Sequence, residues 1–109
     1  MTVYISNAFS LSMISAPVTI KVLEVNIFDV KDIVRDGFVS AVGHESTAQV
    51  ITTQLGVQVP VNRISIKLAP GDVLIVYQLL VRLPEGKILS EDEMKQVQAK
   101  WYFCFVAPF

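Results

Sequence analysis

Apolar and polar residues alternate along several stretches of the chain, and this pattern predicts β-strands. The stretches are rich in β-branched and aromatic residues, which favour strands. The last of them, WYFCFVAPF, is apolar at both alternating sets of positions, which is typical of a strand covered on both faces. Pro70, Gly71 and Asp72 separate two others, so a β-hairpin is predicted there. The predicted strands are residues 2–9, 18–28, 62–69, 72–83 and 101–109.

Two longer segments carry apolar residues at helical spacing. The first begins at Asp29, a candidate N-cap with Asp32 at the third helical position, and its apolar positions continue to Ala41. The second runs from about His44 to Leu55 and is followed by Gly56, a residue that commonly terminates helices. Both are predicted to pack one face against the strands.

A short last helix is predicted after Ser90, because Ser90 and Glu93 have the spacing of a capping box. Helices and strands are mixed along the chain, with no linker, repeat or low-complexity segment. Residues 1–109 are therefore expected to form one domain of the α/β (mixed α+β) class, with a central sheet of about five strands flanked by helices.

The composition fits a well-filled core. The 109 residues are 52% hydrophobic and 17% charged, which indicates elements covered on both faces or apolar surface hidden in an oligomer. The longest apolar run, LIVYQLLV, is interrupted by Gln78 and followed by Arg82, so no membrane span is expected. The first ten residues lack the basic start of a secretion signal. Cys104 is the only cysteine and is expected to be a buried, inert thiol in a reducing compartment.

The net charge of −1 excludes a non-specific coat for duplex DNA. The positive charges are nevertheless uneven, since four of them lie within residues 63–87. Alternation in the predicted hairpin places polar side chains of two strands on one face, where guanidinium groups could bind phosphate oxygens in pairs. A solvated face of a half-exposed sheet would have the same pattern. The side chains on this face are Arg63, Lys67, Gln78 and Arg82.

His44, the only histidine, has two interpretations. It follows Gly43 at the predicted start of a helix, where an imidazole could protonate a group bound to phosphate. It is also in line with Ala48 and Ile51 on the helix, so it could equally be a packed or capping histidine. One histidine and one cysteine do not make a metal cluster, and no phosphate-binding glycine loop, dinucleotide motif or serine–histidine–acid pattern is present.

RNA cleavage is a reaction that such a sparse set of groups can perform without a metal or cofactor. The substrate carries its own nucleophile, the ribose 2′-OH. The protein must align that oxygen with the phosphorus, stabilise the phosphate charge and protonate the leaving 5′-oxygen. One histidine, one arginine and the N–H groups of a helix could supply these functions.

Four patches of the sequence resemble the small viral anti-CRISPR ring nucleases that act against type III systems. The patches are YISNAFSLSM, VGHESTAQVITTQLGV, VPVNRISIK and QLLVRLPEGKIL, and they occur in the family's order. The resemblance implies metal-independent cleavage of cyclic tetra-adenylate by 2′-OH attack, which gives di-adenylates with 2′,3′-cyclic phosphate ends. It also implies a homodimer with the ring bound across the interface and a location in the cytoplasm of the infected host cell.

The same resemblance assigns roles to individual residues. The histidine of the Gly-His motif, His44, would be the general acid, and Glu85 of RLPEG would be the second catalytic residue. No metal and no cofactor would be required. The positions that would contact the ring are Asn7, Ser10, Arg63, Gln78 and Arg82.

Two other functions are compatible with the residues alone. A binding protein that sequesters a cyclic nucleotide or single-stranded RNA would use the same arginines and amides without cutting the ligand. Only His44 and Glu85 distinguish the enzyme from such a binder. A structural virion or scaffold protein is the third alternative, and it would leave the polar face without a purpose.

Overall fold

A computed structural model describes residues 1–84 and 88–109. These residues form a mixed α+β domain with one five-stranded sheet, as predicted. A 3₁₀ helix, Leu11–Met13, follows the first strand. The strands are β1 (Val3–Ser6), β2 (Val18–Val25), β3 (Val39–Ser40), β4 (Val73–Leu79) and β5 (Ala99–Pro108). The α-helices are α1 (Ile27–Val34), α2 (Glu45–Leu55) and α3 (Glu91–Lys95).

The sheet has the strand order β2-β5-β4-β1-β3. Its first part is antiparallel, with β5 between β2 and β4. Its second part is parallel, because β1 pairs with β4 from Val3↔Val73 onward and with β3 at Ile5↔Ser40. The carboxyl ends of β4, β1 and β3 therefore meet at one edge of the sheet.

Each face of the sheet packs against its own hydrophobic cluster, and β5 contributes to both. Trp101 belongs to a cluster that contains residues of α1, α2 and α3. Cys104 and Val106 belong to a second cluster, in which Ile66 and Leu68 cover the opposite face. The prediction that β5 is covered on both sides is confirmed.

Two buried side chains have pKa values altered by their surroundings. Burial raises the pKa of the Cys104 thiol, which favours its protonated form, in agreement with the expectation of a buried thiol. Burial also raises the pKa of Tyr77 to about 12, and the Tyr77 hydroxyl donates a hydrogen bond to Gln54 Oε1 over 3.0 Å. The Tyr77 ring packs edge-on against Trp101, with ring centres 4.6 Å apart.

The prediction for the first helix is wrong in its bounds. Helix α1 begins after Asn26, whose side chain accepts from Asp29 N over 2.9 Å, so Asp29 is the third helical residue and not the cap. The helix ends at Val34, and Gly37 follows with φ of 113°, a conformation that favours glycine. The two-residue strand β3 then occupies positions whose apolar spacing had predicted more helix.

The predicted hairpin is also wrong. Residues 62–69 form no strand, because both edges of β4 are already paired, one with β1 and the other with β5. The segment instead crosses the second face of the sheet, where Leu68 N donates to Met13 O over 2.7 Å. Alternate side chains, Ile66 and Leu68, are buried. The alternation of apolar and polar residues in this segment therefore reflects one side packed against the sheet, not membership in the sheet.

Helices α2 and α3 agree with their predictions. Helix α2 starts after His44 and ends at Gly56, which has φ of 75°. Helix α3 has the predicted capping box, in which the Ser90 side chain accepts from Glu93 N and the Glu93 side chain from Ser90 N. Among the described residues, no helix is long and apolar enough to span a membrane.

Candidate functional site

The carboxyl edge of the parallel strands gathers the segments that carry the candidate site. Asn7 directly follows β1, and His44 lies four residues after the end of β3. Gln78 is near the end of β4 and Arg82 lies just beyond it. In open sheets with parallel strands, ligands bind in the crevice at this edge, where the loops diverge. The topology thus places these residues, which are distant in the sequence, at the same edge of the sheet.

Three segments meet at Gly43: the end of β1, the loop between β3 and α2, and the segment that carries Arg63. Asn7 Oδ1 accepts a hydrogen bond from Gly43 N over 3.2 Å. Arg63 Nε donates to Gly43 O over 2.7 Å. Asn7 and Arg63 are therefore tied to the residue immediately before His44, although they are 36 and 20 positions away from Gly43 in the sequence.

The loop between β3 and α2 is fixed further by the chain that runs beside it. Ser40 Oγ donates to Pro60 O over 2.6 Å, and Asn62 Nδ2 donates to Ser40 O over 2.7 Å. The Asn62 backbone N–H donates to Val42 O over 2.8 Å. These bonds hold the segment 60–63 along the loop, which brings Arg63 to Gly43.

His44 occupies the N-cap position of α2, with φ of −126° and ψ of 130°, but its side chain makes no capping hydrogen bond. The helical stripe formed by Ala48, Ile51 and Leu55 is buried as expected. His44 itself is exposed, so the interpretation as a packed histidine is wrong. The imidazole is thus neither a cap nor part of the core.

An open depression of about 490 Å³ surrounds this imidazole. Its electrostatics are mixed, because its lining includes both a cationic residue, Arg63, and an acidic residue of the first helical turn, Glu45. An anion would be attracted to the Arg63 side and repelled by Glu45. Among the described residues, no group of three histidine, cysteine or acidic side chains could hold a metal ion. The depression is lined by His44, Glu45, Ser46, Gln49, Arg63 and Ile88.

The other predicted site residues lie around the same edge, without a described contact to His44. Ser10 is exposed and caps the 3₁₀ helix, with its hydroxyl 3.0 Å from Ser12 Oγ. Gln78 is exposed, and its Nε2 donates to Leu79 O over 3.2 Å. Arg82 is exposed on the segment that follows β4. Glu85, the second predicted catalytic residue, lies outside the described residues.

No pattern in the sequence predicts that the segments carrying Asn7 and Arg63 meet at Gly43. Its backbone φ is not positive, and an added Cβ would lie 3.7 Å from Arg63 Cγ, which is an ordinary contact. Neither conformation nor packing therefore requires glycine here. The hydrogen bonds to Gly43 come from remote segments, and only the folded topology brings them together.

Comparison with known proteins places this chain among proteins of archaeal viruses. It is 41% identical over 76 residues to uncharacterized protein 26 of Sulfolobus islandicus filamentous virus, an alignment covering 68% of this chain and 64% of that protein. It is 40% identical over 67 residues to uncharacterized protein ORF117 of Acidianus two-tailed virus, covering 61% and 57% respectively. The alignments thus span about three-fifths of the length of these relatives.

Two further similarities extend over most of the chain. Uncharacterized protein YddF of Bacillus subtilis is 26% identical over 93 residues, which cover 83% of this chain and 86% of YddF. The structure of B116 of Sulfolobus turreted icosahedral virus superposes with a TM-score of 0.83 at 30% identity, covering 96% of this chain and 99% of B116. The model of the STIV B116-like family matches residues 3–101. With nearly its whole length matched, the chain belongs to the STIV B116-like family.

Proposed function

We propose that this protein is a metal-independent ring nuclease that cleaves cyclic tetra-adenylate and so blocks type III CRISPR defence in the host cytoplasm. The observation that carries the proposal is the environment of His44. The imidazole is exposed at a helix start, makes no capping bond, and shares one depression with the Arg63 guanidinium. A histidine with no structural role beside an anion-binding group is suited to proton transfer at a phosphate.

The reaction forms one P–O bond, breaks another, removes a proton from one oxygen and delivers a proton to the other. The ribose 2′-OH attacks the neighbouring phosphorus and loses its proton to solvent water, and the bond from phosphorus to the 5′-oxygen breaks. His44 donates its proton to that departing 5′-oxygen, because an alkoxide is a poor leaving group. The product ends in a 2′,3′-cyclic phosphate, and two such cuts yield di-adenylates.

Arg63 is the described residue best suited to hold the reacting phosphate. Its Nε is engaged by Gly43 O, and a guanidinium has four further N–H donors that can meet phosphate oxygens. The N–H groups at the start of α2 add a favourable dipole. Gln78 and Arg82, at the end of the next parallel strand, would contact other parts of the ring, and Glu85 would orient the ribose or assist the acid.

A ring of four nucleotides is larger than the depression of one protomer, so the proposal includes a homodimer with the ring at its interface. A ligand with two-fold symmetry suits an isologous interface. Exposed apolar side chains on the segments around the site supply surface for such a contact. They are Phe9, Leu11, Ile64, Leu80, Val81 and Ile88. Light scattering at micromolar concentration should give twice the mass of the chain, and an active monomer would contradict this part.

The test is cleavage of cyclic tetra-adenylate by purified protein in the presence of excess chelator. Chromatography with mass detection should show di-adenylates with cyclic phosphate ends, and the chelator should not change the rate. Cyclic hexa-adenylate and linear tetra-adenylate are the substrate controls. Activity that disappears with chelator would contradict the metal-independent mechanism.

The alternative is a binder that sequesters the cyclic nucleotide or single-stranded RNA, and Glu45 is the observation in its favour. Glu45 lines the depression in which the reacting phosphate would be placed, and a carboxylate there would weaken the field that a cleaving site needs. Tight binding of the ring with no linear product after prolonged incubation would favour this alternative over the enzyme.

A further inference from the structure

Glycine is the most flexible residue of a chain, and an unrestrained glycine before a catalytic group would leave that group poorly placed. Gly43 is restrained on both sides. Its N–H is held by Asn7 Oδ1 and its carbonyl by Arg63 Nε, at 3.2 and 2.7 Å. These bonds fix the orientation of the two peptide groups that flank the Gly43 Cα atom, and with them its two soft dihedral angles.

We propose that Asn7 is a positioning residue, which acts with Arg63 through the Gly43 backbone to fix the place of His44. The inference rests on the proposed function, and it differs from the resemblance, in which Asn7 contacts the ring. The acceptor oxygen of Asn7 is directed at Gly43 N, 3.2 Å away. On the other side of His44, its carbonyl accepts from Ala48 N over 3.0 Å, so the histidine backbone lies between a held glycine and the first turn of α2.

Asn7 is itself well anchored, which a positioning group requires. It follows Ser6, a buried residue paired with Val76 of β4. The next backbone N–H, that of Ala8, donates to Ser6 Oγ over 3.3 Å. Asn7 thereby transmits the position of the sheet to the loop that carries His44.

Asn7→Ala separates positioning from ligand contact. In single-turnover cleavage at saturating cyclic tetra-adenylate, we expect the rate to fall about 10-fold to 100-fold, because a displacement of about 1 Å can cost that much. Affinity for an uncleavable ring analogue should stay within about threefold of wild type. Asn7→Asp keeps an acceptor oxygen and should recover most of the rate. A loss of affinity with an unchanged saturating rate would overturn the proposal.

Asn26→Ala is the matched control. Its Oδ1 also accepts from a backbone N–H, that of Asp29, but at the start of α1. The variant removes a similar hydrogen bond elsewhere, so it should lower the melting temperature without changing the saturating rate per folded molecule. If Asn26→Ala slowed cleavage as much as Asn7→Ala, the effect of Asn7→Ala would be explained by general destabilisation. That result would overturn the proposal.

Amide hydrogen exchange and ¹⁵N relaxation of the ligand-free protein supply a readout independent of activity. Asn7→Ala should speed exchange of the Gly43 amide at least about 10-fold and increase the motion of residues 43 and 44, whereas Asn26→Ala should leave both unchanged. An unchanged Gly43 amide would overturn the proposal. If the wild-type protein proves to cut no cyclic oligoadenylate, the proposed function fails, and this measurement still decides whether Asn7 restrains the loop.

Discussion

The two ends of helix α2 are built in opposite ways. At the carboxyl end, Gly56 N donates to Thr52 O, and Gln54 Nε2 donates to the carbonyls of Met94 and Val97. The buried Tyr77 hydroxyl donates a hydrogen bond to the Oε1 atom of the same Gln54 side chain. At the amino end, the His44 side chain is exposed and makes no capping bond. The carboxyl end is held by hydrogen bonds to other parts of the fold, whereas the amino end carries an exposed side chain without a capping bond.

The uncapped amino end of α2 is informative because the amino ends of α1 and α3 are both capped by side chains. Both α1 and α3 have complete capping boxes, built on Asn26 and Ser90. Capping side chains stabilise a helix by about 1 kcal/mol, so histidine at this position of α2 forgoes stability. Residues that lower stability without a structural return are expected at functional sites.

The largest expected effect comes from removing the imidazole. His44→Ala should lower the single-turnover rate by about 10²–10⁴-fold, the usual range for general acid–base catalysis. Ring affinity should persist, since Arg63 and the helix N–H groups remain. Rates are compared at equal folded fraction, checked by thermal melts. A folded variant that cleaves near the wild-type rate would show that His44 is not the acid.

The contribution of Tyr77 to stability at the carboxyl end of α2 can be measured at alkaline pH. The folded protein keeps the Tyr77 proton up to about pH 12, whereas the unfolded chain releases it near the ordinary value of 10.0. Stability from this group is therefore complete below pH 10 and is lost as the pH rises to about 12, by about 2–3 kcal/mol. Denaturant unfolding of wild type and Tyr77→Phe across this range measures it. Between pH 10 and 12 the free energy of unfolding of Tyr77→Phe should decrease less than that of wild type. Equal decreases would contradict the raised pKa of Tyr77.

The amino end of α2, which lacks a capping side chain, can be capped by substitution of His44. In His44→Asn the new side chain can accept from the N–H groups of the first turn, so the free energy of unfolding should rise by about 0.5–1 kcal/mol while cleavage is lost. Asn26→Ala should change stability in the other direction and leave cleavage per folded molecule intact. Urea unfolding beside single-turnover assays gives both quantities. A His44→Asn variant less stable than wild type would show that His44 has a structural role.

The smallest expected effect concerns Glu45, which carries a negative charge at the same helix end. Glu45→Gln should tighten binding of a cyclic ring about two- to fivefold at low salt and lose part of that gain at high salt. It should also lower helix stability by a few tenths of a kcal/mol, because the favourable interaction with the helix dipole is removed. Calorimetric titration at two salt concentrations measures the first effect. Unchanged affinity would place the phosphate away from this turn.

Helix caps and apolar runs in the sequence correctly predicted the elements whose form depends on neighbouring residues. The glycine that ends α2, the capping box of α3 and the apolar run of β5 were all found correctly, because each depends on neighbouring residues. The capping box of α1 was missed by three residues, since both Asn26 and Asp29 are good caps. Residues 62–69 could not be placed, because their apolar period does not reveal whether a strand edge is free.

Sequence patterns and the resemblance named candidate residues that the fold brings to one edge of the sheet, but they did not predict how those residues are arranged. Asn7, His44 and Arg63 were all named from the sequence, and the structure connects them through Gly43. The predicted cleft between two hairpin strands does not exist. The parallel pairing of β1 with β3 and β4 joins positions 35 and 70 residues apart, such as Tyr4↔Val39 and Val3↔Val73, and brings Asn7 to Gly43.

That parallel pairing also has a consequence for the folding kinetics of the protein. Parallel neighbours are joined by long connections, and closing long loops before any pairing is gained makes such sheets slow to form. Asn7 and Gly43 come within hydrogen-bonding distance only when β1 and β3 have paired. In a refolding experiment, helix content measured by circular dichroism should return before ring cleavage does. A newly made chain would then form the Asn7–Gly43 contact, and with it the proposed site, in the last stage of folding, once the sheet is complete.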